Sequence, residues 1–282
     1  MPHWRKHRWL FIKEATRHAA AALLLGVLVG CASLAQPPAA LSAEQASTLN
    51  ALNTSALLLG EQHDAAQHQQ LHASVISHLV SQQRLAAVVI EMANSQGQTT
   101  HLNSDASEQA VQDALAWNEQ AWPWQQYGPA IMQAVRAHVP VVGGNLDSAD
   151  LRASMQDTTL QQAVSADVWA HHIDAVDRGH CGLIPANQLA PMALVQVARD
   201  QRMAQTIERA LVPGKVVVLL TGSAHADKQV GVAQHLSSSV TSIAFVAGKP
   251  NAGPNDAFDA IWQTPALAPT DYCAALKARF KR

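Results

Sequence analysis

Lysine is absent from the whole interval between Lys13 and Lys215, and the chain of 282 residues carries only 2 tyrosines and 3 cysteines. No H-E-x-x-H, C-x-x-C or G-x-S-x-G occurs. Those gaps exclude, in turn, the zinc-protease helix, a paired-thiolate loop and the serine nucleophile elbow. Positive charge is scarce too. Five of the 19 basic residues and one of the 21 acidic ones lie in the first thirty positions, which leaves 14 against 20, a formal charge of about −6. A chain of that sign lacks the basic stripe that nucleic acid requires. A membrane-spanning run is also missing at the start, because the apolar stretch Ala19–Gly30 has twelve residues and a spanning helix needs about 20.

What the first residues do contain is an export pattern. Arg5, Lys6, Arg8, Lys13 and Arg17 precede the apolar stretch, which ends in Leu28-Val29-Gly30-Cys31. That string resembles a bacterial lipobox, whose cysteine becomes the lipid-modified first residue. The expected organisation is a signal peptide over 1–30, a flexible tether over 31–51 beginning at lipidated Cys31, and a single α/β domain over 52–282. Ala32 stands where inner-membrane lipoproteins carry Asp, so the expectation is an outer-membrane anchor by acyl chains alone, facing the periplasm. A signal-anchor helix is the alternative. With Cys31 acylated, Cys181 and Cys273 remain as an even pair in an oxidising compartment. A bridge between them would close a loop of about 90 residues and contribute about 4 kcal/mol through the unfolded state. Two separate thiols are the alternative.

Short apolar runs alternate with longer periodic segments. SALLLG (55–60), AAVVIEM (86–92), VPVVGGN (139–145), KVVVLLTG (215–222), TSIAFVAG (241–248) and DAIWQT (259–264) read as strands, several of them apolar on both faces. Helices are predicted over 64–82, 107–119, 126–138, 149–178 with an internal break, 188–211 and 226–237, with loops at 97–104 and 179–186. The alternation predicts an α/β fold, a mostly parallel central sheet flanked by helices on both faces. Ligands collect outside the carboxyl ends of such strands. There the sequence places Gly60-Glu61-Gln62-His63-Asp64, then Glu91, then Asn145-Leu146-Asp147, then Gly222-Ser223-Ala224-His225. Singly, Asp64 reads as a helix N-cap and Glu91 as a strand terminator. Together they predict one shared cleft.

In order along the chain, GEQHDAAQH, VVIEM, WPWQQYGP, VPVVGGN, RDQRMA (199–204) and GSAH (222–225) resemble the ChaN family of haem-binding lipoproteins, in a wider group with the Tiki proteases and erythromycin esterases. The resemblance runs from about residue 52 to about residue 264. It departs from the family's paired histidines, because His68 is followed by Gln69. The resemblance implies haem as cofactor in iron uptake, a tyrosine as iron ligand, haem shared between the subunits of a homodimer, and an outer-membrane haem receptor as a further partner. Tyr127, beside Trp117, Trp122 and Trp124, is the expected ligand, and Tyr272 is expected to be structural. Glu61, His63, Asp64, His68, Asn145, Arg199, Asp200 and His225 are the expected pocket residues. Any cation for the haem propionates in the lysine-free interval would be Arg84, Arg136, Arg152, Arg178, Arg199 or Arg202, or a histidine.

The wider group implies an alternative, hydrolysis by Glu61, His63, Glu91 and His225, unaided or with a divalent metal such as Zn. His68 and His72 share a helix face at the spacing of zinc helices, although a solvated face is the plainer reading. His171 and His172 point about 100° apart on a helix and cannot chelate one ion together. A third reading leaves the cleft inert, its polar groups a satisfied network.

Overall fold

The computed structural model describes residues 40–250 and 256–280. The expected signal peptide and Cys31 lie outside the described residues. In chain order the elements are α1 (Ala43–Asn50), β1 (Ala56–Glu61), α2 (Ala66–Ser81), β2 (Leu85–Asn94), α3 (Glu108–Ala114), α4 (Trp124–Arg136), β3 (Val141–Asn145) and α5 (Ser148–Ser154). They continue with α6 (Thr159–Gln162), α7 (Ala166–Gly179), α8 (Ala186–Arg209), β4 (Val216–Gly222), α9 (Ser223–Ala226), β5 (Val240–Ala247), β6 (Ala260–Thr264) and α10 (Tyr272–Phe280).

The six strands pair in the order β3-β2-β4-β1-β5-β6, and every pairing is parallel. Alternation along the strands builds the two faces of the sheet. Leu57, Leu59, Val88, Ile90, Val218 and Leu220 turn toward α2 and α4, where Ile76, Leu79, Ile131 and Val135 meet them. Ala56, Leu58, Val89, Val217 and Leu219 turn to the opposite face, where Met203 and Ile207 of α8 cover them. Burial on both faces explains why these strands are apolar at nearly every position. It also leaves their carboxyl ends as the place where polar side chains gather.

All six predicted strands are present, and helices cover both faces as expected. Three details differ. The predicted helix 226–237 is broken from its start: only Ala226, the last residue of α9, is α-helical, and a 3-10 turn follows at Val232–His235. The break falls where Gly231 presses its backbone on the His225 carbonyl, a contact that a Cβ would close to 2.3 Å. The predicted helix 107–119 stops at Ala114, and Ala116 follows in a left-handed turn at φ 47°. The stretch 31–51, expected to be a flexible tether, carries α1 at its end, with Leu49 buried in the core and Arg84 donating to the Leu49 and Leu52 carbonyls.

Gly143 in β3 illustrates how tightly the sheet edge is fitted. A Cβ there would stand 1.9 Å from the Asn94 carbonyl oxygen, where the β2–β3 register shifts. Neither partner is a side chain that can swing away. Gly143→Ala is therefore expected to destabilise by about 3 kcal/mol, a fall of roughly 6–12 °C in Tm by differential scanning calorimetry. An unchanged Tm would show that the edge strand can shift.

Candidate functional site

The carboxyl ends of β1, β2 and β4 are neighbours, and their polar residues meet as the topology requires. Glu61 ends β1 with its side chain 1 % exposed. Its Oε1 accepts from the Tyr127 hydroxyl at 2.6 Å and lies 2.7 Å from His63 Nδ1; its Oε2 accepts from Gln69 Nε2 at 2.8 Å, with His72 Nδ1 at 3.4 Å. Both oxygens are thus occupied by donors from β1's own turn, α2 and α4. A carboxylate so buried and bonded orients its neighbours and is closed off from a substrate.

Its chief effect is on His63. With Nδ1 donating to Glu61, the ring turns Nε2 toward β4, where a Cβ on Gly222 would come within 2.9 Å of it. Glycine at this position makes room for the imidazole. The His63 side chain is 40 % exposed and meets the Trp122 ring edge to face, with ring centroids 4.9 Å apart. Burial pulls its pKa down, but the Glu61 hydrogen bond and the Glu91 charge outweigh that and raise it.

A second imidazole is built the same way from the other side. His225 follows β4, and its Nδ1 lies 2.6 Å from Asp200 Oδ1 of α8. Its Nε2 faces Glu91 Oε1 at 3.8 Å. Burial pulls this imidazole down too, yet Asp200 and Glu91 together push it up to about 9. Glu91 stands between the two rings, its Oε2 accepting from the Thr221 hydroxyl at 2.7 Å and the Gly222 amide at 2.8 Å. Burial raises its carboxyl, but His225, His63 and these two donors hold it down at about 2. Asp200, fully enclosed, is raised by burial despite His225. The result is two carboxylate-backed imidazoles facing one shared carboxylate.

Glu61, His63, Glu91, Asp200 and His225 are thus brought together as the sequence predicted. The remaining candidates are not equivalent to them. Asn145 lies one step back, its Nδ2 donating to the Glu91 carbonyl at 2.8 Å. Arg199 adjoins Asp200 in α8 and lowers His225 electrostatically. Asp64 sits exposed at the rim, where it accepts from the Tyr272 hydroxyl.

His68 is withdrawn from the site. Its Nδ1 accepts from the Gln62 amide at 2.9 Å, and its Nε2 pairs with Thr264 at 3.0 Å. His72, on the same face, is buried, and burial lowers it to about 4. Their pairing is core packing against Phe245, not the solvated face or zinc helix weighed above. Among the described residues no trio of His, Cys, Asp or Glu side chains converges as a metal site.

Tyr127 is the main correction. It is 2 % exposed, its hydroxyl is committed to Glu61, and Trp117 and Trp122 pack on its ring. Burial, then the Glu61 charge, push its phenol far above the ordinary range. Such a group cannot present oxygen to an iron at the surface. Trp124 is likewise structural, its indole donating to Glu108. Tyr272, expected to be structural, is instead 59 % exposed at the rim. A signal for it was available: its neighbour Cys273 forms the expected disulfide with Cys181, in the turn before α8. Several expected cations are also occupied, since Arg84 and Arg136 hold backbone carbonyls and Arg202 pairs with Asp150.

The site's charges define a pH profile for the fold. Glu91, ordinarily 4.5 and held at about 2, contributes stability that is complete above 4.5 and lost as pH falls toward 2. His225, ordinarily 6.5 and raised to about 9, contributes stability that is complete below 6.5 and lost as pH rises through 9. His72, lowered from 6.5 to about 4, adds a loss below 6.5, because only the unfolded chain takes that proton. Urea midpoints should therefore be highest near pH 6.5 and fall toward both pH 3 and pH 9.5, with the acid side shallower in Glu91→Gln. A flat profile would contradict this charge pattern.

Residues 49–236 match a family profile described as haem-binding uptake, Tiki superfamily, ChaN. A solved structure described by the cofacial heme binding of ChaN from Campylobacter jejuni is similar at 21 % identity with a TM-score of 0.62, covering 75 % of this chain and 88 % of that one. That likeness concerns the fold. A Bacillus cereus protein aligns at 11 % identity and a TM-score of 0.40 over 76 % of this chain and 71 % of its own, too remote to bear on function. No curated protein matches the chain.

Proposed function

The chain belongs to the ChaN family of haem-binding uptake proteins in the Tiki superfamily, and from that premise we propose that it binds haem at the carboxyl ends of its strands, in iron uptake. The donor set at the rim fits the group. The carrying observation is Tyr272, an exposed phenol hydrogen-bonded to Asp64, which follows His63 at the end of β1. Haem, when bound, would supply a ferric iron, for which a tyrosine oxygen is a competent ligand. In this reading Tyr272 replaces Tyr127 as the ligand because it is exposed; its hydroxyl bond to Asp64 raises its pKa, so Asp64 beside it would be the acceptor for the proton displaced on ligation, and His63 is the second donor within the rim. Trp122 and Leu267 would offer apolar surface, and Lys249, exposed just past β5, would be a cation for a propionate.

The rest of the reading comes from sequence and family. Cys31 carries the acyl chains that hold the protein to the outer membrane, facing the periplasm. The Campylobacter jejuni relative is described by cofacial heme binding, which supports haem held between two copies of this chain. An outer-membrane haem receptor is the partner that such a carrier would serve.

Titration of hemin into the mature domain should give a saturable Soret shift at about one haem per chain. Tyr272→Phe should change that spectrum, and Tyr127→Phe should leave it while lowering stability by about 1.5–3 kcal/mol for the lost bond to a charged acceptor. An unshifted spectrum with the unaltered protein would remove the haem reading; a spectrum insensitive to Tyr272→Phe would remove only the ligand assignment.

The paired imidazoles favour a second reading, hydrolysis. Glu61 is a poor base, because it is buried and already accepts from three donors, and Glu91 at about 2 is a weak one. His63, partly exposed, is the base, and the His225 imidazolium, held by Asp200, is the acid that meets developing negative charge. Ester and peptide substrates should then be cleaved with a rate that falls about 100-fold or more in His225→Ala. Absence of turnover across both classes in the unaltered protein would refute it.

A further inference from the structure

The helix that carries Tyr272 has little of its own to hold it in place. None of the residues 272–278 of α10 is buried, and the connection 265–271 before it is exposed along its whole length. A helix of 9 residues is too short to be stable in water by itself. Among the described residues, two ties fix it to the rest of the fold: the Cys181–Cys273 disulfide, with Cα atoms 5.7 Å apart, and the bond from the Tyr272 hydroxyl to Asp64.

The positions of those ties give the segment a direction. Its start is the carboxyl end of β6, at one edge of the sheet. Its far anchor, Cys181, lies in the turn between α7 and α8, and α8 covers the sheet on the face opposite α2 and α4. Between them the chain meets Asp64, one residue beyond His63 at the end of β1. The segment 265–273 is therefore a strap from the sheet edge over the mouth of the site. Both cysteines are only half-buried, and access is what a thiol needs to attack a disulfide.

We propose that the Cys181–Cys273 disulfide is a redox latch on this mouth: closed, it keeps Tyr272 seated on Asp64, and opened by a dithiol, it releases the strap together with Tyr272. A thiolate of the dithiol attacks one cysteine sulfur and the other cysteine leaves as a thiolate; the second thiol of the reductant then attacks the reductant's own sulfur in the mixed disulfide and expels the remaining cysteine as a thiolate. The net change is two electrons and two protons taken up as two cysteine thiols, with the reductant oxidised to its own disulfide. A single hydrogen bond between exposed partners is then all that remains, and it is too weak to order a segment of this length. The release of the strap stands independently of the ligand; its consequence for haem rests on the haem reading above.

Hydrogen exchange in the oxidised protein, in the same protein under excess dithiothreitol, and in Cys273→Ser tests the latch. Amides in 265–278 should exchange about tenfold or more faster once the bridge is open, with those of β1 and β4 unchanged. Hemin dissociation, followed by transfer to apomyoglobin, should accelerate about tenfold in parallel. Equal exchange of the strap in all three samples would overturn the proposal. So would loss of protection throughout the sheet on reduction, since the bridge would then be a staple for the whole fold. If the oxidised protein takes up no hemin, the haem reading fails while the exchange comparison still decides the latch. If exchange accelerates and hemin release does not, the strap moves without governing the ligand, and the regulatory part of the proposal is refuted.

Discussion

One buried carboxylate organises the site. Glu61 lies at the end of a strand apolar at every other position except its glycine, and its charge is tolerated there because Tyr127, Gln69 and His63 donate to it, with His72 beside it. Each donor comes from a different piece of chain: α4, α2 and the turn between β1 and α2. Removing one of them leaves a charge short of partners in the core, while removing the carboxylate frees three donors at once. The turn that carries His63 and Asp64 therefore has a fixed geometry, and that geometry sets where the mouth of the site lies.

The Asp200–His225 pair repeats the arrangement from the opposite side of the sheet, which gives the site an inner and an outer part. The inner part, from Glu61 through Glu91 to Asp200, is enclosed, and its opposed charges hold Glu91 ionised and His225 protonated. The outer part, His63 and Tyr272, is exposed, each group oriented by a carboxylate behind it. An inner network that fixes an outer pair of donors suits ligand binding. The same network leaves an acid and a base facing each other, and for that reason a hydrolytic reading stays attached to the site.

The fold was legible in the sequence because burial on both faces of a parallel sheet leaves a plain trace: runs such as LLLG and VVVLLTG, bounded by glycine and polar residues, mark both the strands and their functional ends. Glu61, His63, Glu91 and His225 follow from that trace directly. Tyr127 did not, because a tyrosine among tryptophans looks the same in sequence whether its ring covers a ligand or fills a core. Only the bond to Glu61, 66 residues away in the chain, decides it. Tyr272's place depends on a disulfide whose partner is 92 residues distant, so only the expected Cys181–Cys273 bridge pointed to it. His68 and His72 show the same limit, since helical spacing gives the face they share but not whether water or Phe245 lies against it. The 226–237 segment has helical periodicity, and a backbone contact at Gly231 that no local pattern encodes cuts it short.

The most direct test of the central claim is the position of the iron in crystals of the mature domain grown with hemin, located from its anomalous scattering. The account predicts a peak at the mouth of β1, within bonding reach of the Tyr272 oxygen, with the Tyr127 hydroxyl still bonded to Glu61. Iron bound to Tyr127, or on a face away from the carboxyl ends of the strands, would contradict it.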